Sequence, residues 1–173
     1  MNPFVNPKKR DILLPSGCKD LMDVLQLSKR EDEAGCSTPA VRPELQVGGL
    51  GHIHYWVAKL SASTVHGSVL TIASLDGQMR VVLECARRGL SVYPVMGLAE
   101  REKDAEDFFF SRAIQPCVDF LIGHPGMPTR VLGFPLPSDL FKAAELTTAL
   151  LRSVYGLDTE AEIEFAYAQT AAA

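Results

Sequence analysis

Three apolar runs between Ser68 and Met96, parted only by turn signals, constrain this chain more than any other feature. Residues Ser68 to Ser74 (SVLTIAS) are apolar and β-branched. Asp76-Gly77 is a hairpin signal, because Asp and Gly tolerate the positive φ of a tight strand connection. The chain returns through Gln78 to Ala86 (QMRVVLECA), with Met79, Val81, Leu83 and Cys85 on one face and Arg80 and Glu84 on the other. Arg87-Arg88-Gly89 is a second turn, and Leu90 to Met96 (LSVYPVM) is the third run. Connections this short read as an antiparallel meander. Pro94 lacks a ladder donor, which places the third strand at an edge or ends it early.

The flanks of the meander read as helix. Ile53, Trp56, Val57 and Leu60 recur at spacings of three and four, and Ala58, Lys59 and Ala62 favour helix, so residues 51–63 are expected to be helical. After the meander, Leu98 to Ala113 reads as a helix with acidic early turns. At least one of Phe108, Phe109 and Phe110 should reach the core. Val118 to Gly123 and Thr129 to Leu136 read as a strand pair around the rigid turn His124-Pro125-Gly126-Met127-Pro128. A final helix is capped by Ser138 or Asp139, carries a stripe of Leu140, Ala144, Thr147, Leu151 and Val154, and stops at Gly156. Glu160 to Ala168 then alternates as a half-buried strand. The expected fold class is α+β. An antiparallel sheet (β-meander, hairpin and C-terminal strand) packs against two or three helices, with a short N-terminal strand-helix arm.

That arm is residues 1–27. Lys8, Lys9 and Arg10 form a basic cluster, and Ile12, Leu13 and Leu14 a short extended run. Leu21, Met22, Val24 and Leu25 make an apolar helical face. A piece this short cannot bury that face alone, so it is expected to dock on something. Residues 28–49 are charged, then rich in small residues, with Pro39, Pro43 and a closing Gly-Gly, the composition of a linker. The expected division is a docking arm at 1–27, a linker at 28–49 and an α+β domain at 50–170.

Composition narrows the function classes. The chain has 173 residues, 47% of them hydrophobic and 22% charged, which suits one domain with an appendage. A net charge of -4 argues against a general nucleic-acid binder and leaves only the basic arm for such contact. No apolar run reaches the length of a membrane span, and the N-terminus lacks a secretory pattern, so a cytoplasmic location without membrane contact is expected. Cys18, Cys36, Cys85 and Cys117 are too dispersed for a CxxC pair and are expected to be thiols.

Several residues have the chemistry for a site. On a strand, His52 and His54 would share a face and could ligate one metal ion; on a helix they diverge. Cys117 with His124 has the residue types of a nucleophile and base, and Cys85 and His66 are the other members of that set. Gly48-Gly49-Leu50-Gly51 is not a phosphate loop, since no strand is expected before it, and no cofactor is expected. The preferred partner-binding set is Lys8, Lys9, Arg10, Leu13, Leu21 and Leu25 of the arm, with Trp56 and Tyr93 on the domain if one sheet face is uncovered.

From Leu50 the order α-β-β-β-α-β-β-α resembles the type III secretion chaperone-like fold, also found in bacterial sensory-transduction and stress-related proteins. The resemblance rests on element order and implies a homodimer that binds polypeptides on exposed apolar surface. The leading expectation is therefore a non-catalytic protein-binding or chaperone-like adaptor. The alternatives are a small cytosolic Cys/His-dependent enzyme and a ligand-binding regulatory domain.

Overall fold

The computed structural model describes residues 43–63, 68–86, 89–95, 99–122 and 129–169. The expected arm and the linker residues 28–42 lie outside the described residues. In chain order the elements are β1 (Glu44–Gly48), α1 (Ile53–Ser61) after a 3-10 turn at Leu50–His52, β2 (Ser68–Ser74), β3 (Arg80–Ala86), β4 (Gly89–Val95), α2 (Ala99–Phe110), β5 (Val118–Ile122), β6 (Thr129–Pro135), α3 (Leu140–Tyr155) and β7 (Ile163–Ala168). The strands form one sheet in the order β1-β7-β2-β3-β4-β6-β5, antiparallel at every junction. The α+β class is as expected. No helix among the described residues is long and apolar enough to cross a membrane.

Local chemistry explains the boundaries. At the β2–β3 hairpin, Gly77 takes φ 71° and its N–H donates to the Ser74 carbonyl. The Asp76 carboxylate accepts from the Gln78 N–H, which rigidifies the turn. Asp139 caps α3 by accepting from the Lys142 N–H at 2.9 Å, and Gly156 closes the helix in the left-handed conformation at φ 70°.

The helices share one face of the sheet. Register places Leu70 and Ile72 of β2, Val81 and Leu83 of β3, Val92 of β4, Phe134 of β6 and Phe165 of β7 on that face. They form a single core with Ile53, Trp56, Val57 and Leu60 of α1, Phe108 and Phe109 of α2, and Leu150 and Leu151 of α3. Ala143 and Ala144 bring little bulk to α3, which packs against α1. Two aromatic stacks join layer to layer. Trp56 lies on Phe165 with ring centroids 5.7 Å apart, and Phe109 lies on Phe134 at 4.0 Å. Such pairs contribute about 0.5–1.5 kcal/mol beyond the area they bury. Phe110, by contrast, points outward.

Two expectations are corrected. Residues 44–48, assigned by composition to the linker, are strand β1, bound along its whole length to β7. Pro94 does not mark a sheet edge, because β4 lies between β3 and β6. Its missing N–H shows up in the neighbouring ladder instead. β6 pairs with β4 only at Ser91–Pro135 and Val92–Phe134, and the pairing stops before Pro94.

Opposite the helices lies the second face, with Val69 of β2, Val82 and Glu84 of β3 and Tyr93 of β4 at its buried centre. The Tyr93 hydroxyl donates to the Glu84 carboxylate at 2.9 Å, which meets part of that buried group's hydrogen-bonding demand. The anchored ring leaves no room on β6. A Cβ at Gly133 would lie 2.5 Å from Tyr93 Cε1 and 3.0 Å from Val118 Cβ. Gly133→Ala is therefore expected to destabilise the protein by about 1–3 kcal/mol, the usual range for overpacking. Urea unfolding monitored by circular dichroism measures it, and unchanged stability would show that the ring yields.

Candidate functional site

Two groupings of exposed side chains among the described residues lie at the two ends of the sheet. β1 pairs with β7 residue for residue, from Glu44–Tyr167 to Gly48–Ile163, without a bulge. Its other side meets no strand among the described residues. Leu45 and Val47 point to the second face, and 61% and 51% of their surface is exposed. Native edges are commonly guarded by Lys, Pro or a bulge, all of which discourage another strand from pairing. The β1 segment ELQVG contains none of them, and its one charge, Glu44, lies on the helix face, paired with Lys59.

On the helix side β1 is held by charge. The Lys59 ammonium of α1 binds the Glu44 carboxylate. It also lies 4.8 Å from the centroid of the Trp56 ring, 5.2 Å from that of Tyr167 and 5.8 Å from that of Tyr55. The hydrogen bond to Glu44 raises the Lys59 pKa against the opposing effect of burial. The ammonium thus ties β1 to α1 from the inner side, away from the edge that no described strand covers. Tyr55, 56% exposed, flanks the same ion pair.

The opposite edge is built differently. In β5 the Asp119 carboxylate receives both Nε and Nη2 of Arg130, at 2.9 and 2.8 Å. Arg130 Nη1 also reaches Glu106 of α2 at 2.9 Å. This charged network lies beside the edge strand and makes it a poor surface for an apolar strand. The Arg130 hydrogen bonds hold the Asp119 carboxyl below its ordinary range, against the effect of burial.

The residues singled out from sequence do not assemble into a reactive centre among the described residues. His52 Nδ1 is 3.3 Å from the Gly49 carbonyl, and the His52 ring leans toward Phe165. His54 lies on α1 with its ring against Phe141, 4.9 Å between centroids. The two imidazoles therefore have separate surroundings, and no group of three potential metal ligands occurs among the described residues. Cys117 is exposed, with Sγ 3.4 Å from the Gly133 carbonyl and 3.8 Å from Ser91 Oγ, neither of them a base. Burial, and then the Glu84 carboxylate, raise the Cys85 pKa, which disfavours its thiolate.

Among the aromatic candidates, Trp56 is corrected outright. It has no exposed surface and belongs to the core, so it cannot contact a partner. Tyr93 sits on the second face but is buried and bonded to Glu84. His124, His66, Lys8, Lys9, Arg10, Leu13, Leu21 and Leu25 lie outside the described residues. Leu45 and Val47 were missed. The available signal was their alternation with Glu44 and Gln46 between Pro43 and Gly48.

The Asp119–Arg130 pair has a defined pH signature. A depressed folded pKa means stabilisation that is present above the unfolded carboxylate value of 3.8 and lost as pH falls through the folded value. Both side chains are partly exposed, so roughly 0.5–1 kcal/mol is expected at neutral pH. Denaturant unfolding of the native protein and Asp119→Asn should differ by that amount at neutral pH and converge in strong acid. A difference independent of pH would refute the assignment. No protein-family model, curated protein or solved structure matches this chain.

Proposed function

We propose that this chain is a non-catalytic protein-binding module of chaperone-like or adaptor type that takes up an extended polypeptide along β1. The observation that carries the reading is the apolar edge: five residues with Leu45 and Val47 exposed on one face and no strand on the outer side among the described residues. Strand addition uses main-chain hydrogen bonds for affinity and alternate side chains for selectivity. At β1, Leu45 and Val47 would read apolar side chains at every second position of the bound segment. The element order α1-β2-β3-β4-α2-β5-β6-α3 supports the chaperone-like resemblance. The separation of His52 from His54 and the raised Cys85 pKa weigh against the enzyme alternative. Within this reading the protein acts in the cytoplasm, and the basic arm with Lys8, Lys9 and Arg10 adds contact to an acidic region of the partner.

The test uses synthetic ten-residue peptides of alternating apolar and polar residues, with fluorescence anisotropy as readout. The full chain should bind them. Leu45→Lys combined with Val47→Lys should weaken binding by roughly tenfold or more, because each lysine places a charge where an apolar contact formed. Both positions are exposed, so the fold should persist by circular dichroism. Peptides with proline at alternate positions, which lack the donors, should not bind. Equal binding by the double variant would refute strand capture at β1.

A further inference from the structure

We propose that the strand taken up by β1 is the β1 of a second copy, so that two sheets join through an antiparallel β1–β1 seam. The inference rests on the strand-capture reading and names its occupant. A twofold interface demands a self-complementary surface, in which each residue finds across the axis the partner its own partner finds. The β1 sequence meets that demand in one register. Centred on Gln46, the pairing sets Leu45 opposite Val47 of the partner subunit, and Val47 opposite Leu45 of the partner subunit. Glu44 then lies opposite Gly48 of the partner subunit, which has no side chain, and Gln46 meets Gln46 of the partner subunit.

Other registers waste these matches. A shift of one residue sets Leu45 against a glutamine in one direction and Val47 against it in the other. Centring on Leu45 leaves Val47 opposite the proline at 43, which has no donor. Only the Gln46 register uses all five residues and matches both exposed apolar side chains.

Charge agrees with this choice. No like charges oppose one another across the seam, and Glu44 is already neutralised by Lys59 of its own chain. Opposed residues in an antiparallel pair point to the same side, so the helices of both copies share one side of the joined sheet. A five-residue strand is a small interface by itself. Tyr55, exposed beside the Lys59–Glu44 pair on that side, enlarges it. The β5 edge is the poorer alternative, because Asp119, Arg130 and Glu106 form a charged network there.

Sedimentation velocity on the full chain at micromolar concentrations tests the proposal. A reversible dimer is expected. Leu45→Lys with Val47→Lys brings lysine opposite lysine and should weaken dimerisation by roughly tenfold or more, whereas Lys103→Glu on α2, away from the seam, should leave it unchanged. Gln46→Cys, in a chain with Cys18, Cys36 and Cys117 changed to Ser, should form an intermolecular disulfide between the two 46 positions on mild oxidation. A monomer throughout this range would overturn the proposal. So would a dimer indifferent to the lysines, or one that fails to cross-link through position 46. A monomer whose β1 amides facing away from β7 are protected from hydrogen exchange would also overturn it, and would point to the chain's own N-terminal segment as the occupant. If the chain is monomeric but still binds the alternating peptides through Leu45 and Val47, strand capture stands and only the second copy is lost. If peptide binding ignores those residues, strand capture itself fails.

Discussion

The architecture depends on the position of β7. The last strand in sequence lies inside the sheet, between β1 and β2. Ile163, Phe165 and Tyr167 are buried on its helix face, and the Trp56 ring lies flat on Phe165. A strand in such a place must satisfy its N–H and C=O groups on both sides, since leaving a buried one unpaired costs about as much as a lost hydrogen bond. β2 satisfies one side and β1 the other. Residues 44–48 are therefore a strand chiefly because β7 needs a neighbour. The edge of the sheet among the described residues is thereby moved outward from β7 to β1.

This explains which parts of the fold could be read from sequence. Local signals were sufficient where local chemistry decides the outcome. Asp76-Gly77 marked the β2–β3 turn, and the pair Ser138-Asp139, of which Asp139 is the cap, and Gly156 marked the two ends of α3. The stripe Ile53, Trp56, Val57 and Leu60 decided between helix and strand for α1, and all four residues are buried. Where pairing decides, the local signal failed. β1 has a single β-branched residue, and the prolines and glycines around it resemble those of a linker. Pro94 was read as marking an edge or an early end of its strand, but its effect falls on the β4–β6 ladder, which no single-strand pattern reveals.

The candidate site divides along the same line. Trp56 attracted attention as an aromatic surface residue, although its own helical stripe already placed it inward. Its ring supports β7 and helps to hold Lys59, so it acts on the edge only from below. The histidines looked like ligands only under a strand reading, and α1 is a helix from Ile53. Leu45 and Val47 carry no chemistry of their own. They became visible once the sheet order showed that β1 is an edge and the register showed which way they point.

The two edges differ in a way that stability does not require. At β5 a carboxylate and a guanidinium, tied together and to α2, put charge beside the edge, a feature that disfavours pairing with another strand. At β1 the fold has an equally simple device available, since Leu45 and Val47 are exposed enough to be replaced by lysine without disturbing the core. Their apolar surface contributes little to folding while it faces water, because the hydrophobic contribution scales with the area removed from water. Glu44, the residue that does fasten β1, is polar and lies on the other face. Two apolar side chains on the β1 edge, spaced to point the same way and not needed by the strand's own anchoring, are the surface that the proposed strand capture would use.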